Sequence, residues 1–533
     1  MPAPQSPARR VRALIGSIVL ILALPASAVA SHGHPNPAVP YVVLTPAAAG
    51  GQVVPLINSG QDYHGVIFEG IPDGIGAMPA PGNQGWVDLY VTHEQSHVPF
   101  GGFADFQDSS VTHVRVDVAS QSIVAMDVPL PASAGFLRFC SAFMAGPEQG
   151  FPHYTFLANE ESNDLVPVPA GAPYGTDPAV APLRQAGYAV YLDTRTGKYD
   201  VMPGQGRHNH ENTVVVPGGW GGIVSLSTDD TFTSPSTPSR PNLSQLYQHT
   251  ADHWRSFQKD DGTLWAFRVT ATHEGAVDPT DSLNDANDFF EIGVGETWAG
   301  EFIPVPEDVA NGTTGVPPQD ALEDWSNENN VFQFIRLEDL AYDPDDPRTV
   351  YIADTGNTRL WEDEATGRLF RLASSDPRVP ASLASNGRVF KFVFNAEDPT
   401  QVDAFSILAD STQIGFRSPD NMDLGHSSLM LQEDASNAKI WMYSLASGSW
   451  THVATVDQDN DPATSDPGES SGIVDVSPWF GEGWWALDVQ SHINLPGVVP
   501  DQVWEGPGGP APGTVYSLRR EDGQLLLMQV PGS

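Results

Sequence analysis

Four short acidic motifs, spread over more than three hundred residues, carry the side chains best suited to chemistry: His93-Glu94, His210-Glu211, Arg336-Leu337-Glu338-Asp339 and Pro419-Asp420-Asn421. Each stands at or beside the junction of a strand-like run and a turn. Gathered by folding, these carboxylates repel one another unless cations sit between them. A β-propeller would gather them, because its blades converge on a central channel. The first expectation is therefore a metal site at the centre of a propeller.

Each motif also has a plainer reading. His93-Glu94-Gln95-Ser96-His97 matches the H-E-x-x-H zinc pattern, which works only where a helix puts both histidines on one face. Here Asp88–Thr92 leads in as a strand and Pro99, Gly101 and Gly102 follow, so a zinc protease is not expected. Thr272-His273-Glu274 repeats the Thr-His-Glu string as a coincidence of three residues. Taken alone, His210-Glu211 reads as a satisfied polar turn and Pro419-Asp420-Asn421 as an ordinary one. Arg336 and Glu338 share one face of a strand, where a surface ion pair is the simpler account. Cys140, the single cysteine, sits in apolar company as a buried, inert thiol. As a ligand it would require a metal softer than calcium. Asp457-Gln458-Asp459-Asn460-Asp461 opens like an EF-hand loop, but Pro462 stands where the sharp turn needs glycine. A phosphate-binding loop is absent from the sequence.

The elements that must position these residues are strands. Short β-branched and aromatic runs, such as Trp86–Thr92, Val350–Ala353 and Trp484–Val489, recur between Gly, Asp, Asn and Pro clusters. Gly 50 and Pro 47 make nearly a fifth of the 533 residues, and no long segment holds a helical period; Asp320–Trp325 forms at most one turn. The expectation is an all-β chain: a single β-propeller of about six blades with polar loop insertions at Asp278–Asp288, Glu307–Asn330 and Asp457–Glu469. A β-sandwich with appendages is the rival.

Residues 1–30 read as a secretory signal, with Arg9, Arg10 and Arg12 ahead of the apolar Ile15–Leu24 and an Ala28-Val29-Ala30 cleavage site. Residues 31–533 then form the propeller, outside the cytoplasm, monomeric and without a membrane span. With 66 acidic against 25 basic residues the net charge is −41, which excludes nucleic acid as a partner. Bound calcium would offset part of it.

Taken in order, the motifs resemble the PhoX-type alkaline phosphatases, a family of secreted propellers. Thr92-His93-Glu94 is similar to the family's "N-H-E", and Cys140 followed by Glu160-Glu161 to its Cys and Glu-Glu. Gly206 to Glu211 resembles "G-R-x-x-H-E", and Thr228-Asp229-Asp230 an acidic strand end. Arg336 to Pro344 resembles "R-P-E-x-I-x-x-D-P", with Leu337 in place of the proline. Pro419-Asp420-Asn421-Met422 with Glu433-Asp434 resembles "P-D-N-L" and its acidic strand end. Val489-Gln490-Ser491-His492 resembles a late "V-Q-H" interrupted by Ser491.

The resemblance implies a central cluster of iron and calcium acting on small phosphate monoesters. Cys140, Glu211 and Glu338 would be iron ligands; Glu94, Glu161, Asp420 and Glu433 would face calcium; Arg336 would hold the phosphate. A calcium-dependent propeller lactonase or phytase-like esterase, and a non-catalytic calcium-stabilised binding propeller, are the alternatives.

Overall fold

The computed structural model describes residues 36–533, except 95–97, 100–108, 232–242, 282, 357–359, 364, 373–375, 379–386, 459–467, 496–501, 504–514 and 517. The expected signal at 1–30, and most of the acidic loop that opens at Asp457, lie outside the described residues.

Among the described residues, antiparallel strands build six blades around a channel. The innermost strands, from blade one to blade six, are Pro72–Pro79, Phe139–Ala145, His210–Val215, Leu337–Asp343, Pro419–Leu424 and Glu469–Asp475. Neighbouring innermost strands lie side by side all the way round, blade six meeting blade one. The second strands are Trp86–His93, Thr155–Glu160, Ile223–Asp229, Asp346–Asp354, Ser428–Glu433 and Trp484–Asn494. The N-terminal stretch closes the ring: Gln52–Asn58 pairs with Glu521–Gln529 on blade six, and Val42–Leu44 adds an outer strand to blade five. The outer edges of blades three and four are also joined, because Trp298–Pro304 pairs with both Thr263–Thr272 and Gln401–Asp410.

Sequence pattern explains this stacking. Each blade packs between two others, so both faces are buried and strands read as continuous apolar runs rather than as apolar–polar alternation. In Leu525-Leu526-Leu527-Met528, Leu525 and Leu527 enter the core with blade one, while Leu526 and Met528 enter the core with blade five. Between blades three and four, Phe267, Phe334, Phe390, Phe392 and Phe405 interlock, with Phe392 and Phe405 centroids 4.8 Å apart. Fully burying such a side chain contributes about 1.5–3 kcal/mol.

The 307–330 insertion holds more order than a polar loop. Pro318–Glu328 is a helix of 11 residues, begun by a proline at its first position and with Asp320 in its first turn. Its Gln319 accepts the Asn209 N–H at 3.1 Å and donates to Thr231 Oγ1 at 2.9 Å. The helix thus braces the chain on either side of blade three's inner end.

Candidate metal centre

A single irregularity repeats in five blades. The first residue of each innermost strand pairs with the last of the second strand: Pro72 with His93, Phe139 with Glu160, His210 with Asp229, Leu337 with Asp354, Pro419 with Glu433. The ladder then resumes three residues along the inner strand but only two along its partner. That is a β-bulge, which re-aims side chains at a barrel rim. Its first residue is Asp73, Cys140, Glu211, Glu338 or Asp420; its second is Gly74, Ser141, Asn212, Asp339 or Asn421. Beyond each second strand, the N–H of Glu94, Glu161, Asp230, Thr355 or Asp434 donates to the carbonyl of the residue just ahead of the inner strand, at 2.9–3.1 Å. The repeat sets two rows of side chains at the same end of the channel.

The rows meet. Ligand-type atoms of Asp73, Glu94 and Cys140 lie within 4.8 Å of one another, as do those of Cys140, Glu161 and Glu211, and those of Glu211, Glu338 and Asp420. Cys140 and Glu211 each belong to two groups, so the three form one continuous belt across blades one to five. Cys140 Sγ lies 2.7 Å from Glu161 Oε2. Burial, and then the charge of the other carboxylates, push Asp73, Glu211 and Asp420 well above the usual carboxylate range. Burial raises Glu161 and Glu338 too, with Arg138 and Arg336 respectively opposing it. The Cys140 thiol is pushed up by burial and four surrounding carboxylates. Cations placed among these groups would reverse that preference for protons, as a metal ion inverts local pKa logic.

Arg336 supplies positive charge at the edge of the belt. Its Nε and Nη2 grip Asp230 at 2.9 and 2.6 Å, and Nη2 also meets Glu338 Oε1 at 3.1 Å. Asp230 is fully buried, whereas the arginine side chain keeps 21% of its surface exposed. The second row of bulge residues bonds to itself and to the belt. Asn421 donates to Ser141 Oγ at 2.7 Å, Ser141 Oγ donates to Glu211, and Asp339 accepts the Met422 N–H at 2.9 Å. Gln490 of blade six donates to Glu94 at 2.9 Å and to Asp73 at 3.1 Å. On the far side of this layer a cavity of about 570 Å³, lined by Phe143, Tyr342, Met422 and Trp479 among others, occupies the channel's other end.

The sequence model of the family "Alkaline phosphatase PhoX" matches residues 159–471, more than half of the chain. The chain belongs to the PhoX alkaline phosphatase family. Among solved structures, Pseudomonas fluorescens PhoX in complex with vanadate, a transition state analogue, shares 14% identity over 92% of this chain and 97% of that one, with a TM-score of 0.56. That likeness shows a shared fold. The periplasmic gluconolactonase PpgL of Pseudomonas aeruginosa matches at 11% identity and a TM-score of 0.32, over 72% of this chain and 85% of that one. Kuenenia stuttgartiensis hydrazine synthase gives the same identity and TM-score over 80% and 95%. No curated protein matches the chain.

Within this PhoX-family propeller, Glu94, Cys140, Glu161, Glu211, Glu338 and Asp420 come together, with Arg336 beside them. Glu433 is placed differently from the expectation. Its Oε1 accepts from the Arg417 N–H at 3.0 Å and Trp441 Nε1 at 2.9 Å, and its Oε2 from the Lys439 N–H at 3.1 Å. It closes the turn into its inner strand, as Glu160 does at the Leu137 N–H and Asp354 at the Ile335 N–H. The next residue, Asp434, holds the channel position, and its charge acts on both Arg336 and Asp420. Asp434→Asn is accordingly expected to cut phosphatase activity or calcium content, while Glu433→Gln lowers the unfolding midpoint. Kinetics and thermal melts of the pair check this.

Three further acids carry no role in the sequence reading. Asp73 and Asp230 occupy the repeat positions above. Asp488, on blade six, is fully buried with neither carboxylate oxygen hydrogen-bonded, and Asp73 adds to the rise in its pKa. The histidines are structural. His93 bonds Gly70 O and Thr112 Oγ1, and burial lowers it to about 3; His210 bonds Gly206 O and Ser227 Oγ, lowered to about 4. The strand through Trp86–His93 ends at His93, so no helix brings a second histidine round, and His97 lies outside the described residues. Thr272-His273-Glu274 is an outer hairpin turn with His273 half exposed. Among the described residues no helix is long and apolar enough to cross a membrane.

Proposed function

We propose that this chain is a secreted, metal-dependent phosphatase that hydrolyses phosphate monoesters at the blade-inner end of its channel. One observation carries the reading: a guanidinium, Arg336, fixed by a buried carboxylate beside a continuous belt of carboxylates and one thiol. The donor set fits cations of two kinds. Carboxylates suit calcium, and a thiolate suits a softer metal. Cys140, Glu211 and Glu338 would hold iron; Glu94, Glu161 and Asp420, joined by Asp73, would hold calcium. Bound there, such ions would polarise phosphoryl oxygens and stabilise charge that develops on them.

The chain's own residues do the rest. Arg336 sets a positive charge beside the belt that would attract phosphate oxygens, and Asp230 keeps its plane fixed. Glu338 adjoins both the guanidinium and the belt, so it sets their spacing. Ser141, bonded by Asn421, donates to Glu211 and so orients that carboxylate toward the belt. Purified protein is expected to release p-nitrophenol from its phosphate ester, to lose that activity to a chelator, and to leave gluconolactone untouched. Lactone turnover without phosphate release would replace this reading with the lactonase one.

A further inference from the structure

A second carboxylate group lies outside the channel, where the insertion between blades three and four meets the hairpin of Leu360–Asp363 and Arg368–Arg371. Oxygens of Asp288, Glu291 and Glu362 approach within 4.8 Å of one another. Acidic clusters on a chain of net charge −41 are ordinary, but this one contains a buried carboxylate with one oxygen unbonded. Asp288 is 1% exposed; its Oδ1 accepts the Phe290 N–H at 2.8 Å, while its buried Oδ2 receives no hydrogen bond. Neighbouring Asn287 is also 1% exposed, with neither side-chain atom bonded. Among the described residues, none of the three carboxylates makes an ion pair.

A buried carboxylate oxygen left unpaired costs on the order of 1–3 kcal/mol or more, so folds seldom leave one bare. Here Glu291 and Glu362, the one half-buried and the other exposed, bring further negative charge to it rather than relief. Buried Arg368 eases the charge on Asp288 but makes no ion pair with it, its Nη atoms bonding Val331 O and Asn327 Oδ1, so a cation at Oδ2 would supply the missing partner. With no His or Cys in the group, zinc is disfavoured. One open side leaves room for several waters, and the irregular arrangement suits calcium better than the strict octahedron magnesium requires.

We propose that Asp288, Glu291 and Glu362 form a calcium site that ties the insertion to the hairpin. Such a site would act on the channel through backbone. Gln333 donates its N–H to Asn287 O and accepts from the Phe289 N–H, both at 2.9 Å, and its Oε1 accepts from the Leu369 N–H at 2.9 Å. In the same hairpin, Arg371 donates to the carbonyls of Thr231 and Ile335, which adjoin Asp230 and Arg336. The ion would thus steady the segment on which Arg336 is mounted.

The test uses the full-length protein in three forms: parent, the double variant Glu291→Gln/Glu362→Gln, and the single variant Glu362→Gln, whose exposed side chain leaves folding intact. Calcium is counted by mass spectrometry after gel filtration, and the unfolding midpoint is followed as calcium is added. The double variant is expected to hold one fewer calcium per chain with unchanged iron, and the single variant to bind that ion at least ~10-fold more weakly. Glu211→Gln serves as comparator, since it disturbs the channel and leaves this site loaded. Equal calcium counts and equal calcium-induced midpoint shifts in parent and double variant would overturn the proposal, whatever becomes of the phosphatase reading.

Discussion

Glu211→Gln is expected to lower kcat for p-nitrophenyl phosphate by at least ~100-fold and to release metal, with the fold retained. The magnitude follows from position. Glu211 shares ligand distance with Cys140 and Glu161 on one side and with Glu338 and Asp420 on the other. Losing a neighbour of a ligand costs about 10–100-fold in affinity or activity, so losing a carboxylate shared by two groups should cost more. The amide is isosteric, and in the metal-free chain it replaces a carboxyl whose ionised form burial and its acidic neighbours disfavour. Stability without metal should therefore hold or rise while metal content falls. Activity within threefold of the parent, with full metal content, would show that the belt is not the reaction centre.

Arg336→Ala is expected to reduce kcat/KM by roughly 10²–10³-fold, the usual cost of removing one donor aimed at developing charge. It should also destabilise the chain. Asp230 has no exposed surface and takes both of its closest contacts from this guanidinium. Breaking a buried pair from one side costs about 3–5 kcal/mol, because the remaining charge is left uncompensated. Arg336→Lys separates the two effects: the charge opposite Asp230 persists, but the planar fork is lost. The lysine variant should keep most of the melting temperature and recover little of the activity. Equal recovery of both would assign Arg336 a purely structural role.

Much of this centre was legible because its residues sit at strand–turn junctions, where composition changes sharply. His93-Glu94, Glu160-Glu161 and His210-Glu211 each announce a strand end followed or opened by a ligand-type side chain. What the sequence could not settle was which member of an acidic pair faces the channel, since neighbouring strand residues point to opposite sides. In Glu160-Glu161 and Glu433-Asp434 the first acid braces a turn and the second turns inward, a rule visible only once blades are superposed by register. In Asp229-Asp230 the first accepts from Thr231 and Gln319. Asp73 was hidden for a related reason: Pro72-Asp73-Gly74 reads as a turn, just as Pro419-Asp420-Asn421 does. The closure of blade six by Gln52–Asn58 and the seam through Trp298–Pro304 depend on partners far away in sequence, and local pattern carries no trace of them. Only one turn of the Pro318–Glu328 helix, at Asp320–Trp325, was legible, because its apolar positions are few and its proline start resembles a loop.

The central claim is that the belt from Asp73 to Asp420 holds cations. Anomalous diffraction from crystals of the purified protein, collected on both sides of the iron edge, tests it directly. Peaks are expected among Cys140, Glu211 and Glu338 that strengthen above the edge, with calcium-like peaks near Glu94, Glu161 and Asp420. A well-ordered belt with no anomalous density, in protein that still hydrolyses phosphate esters, would contradict the account.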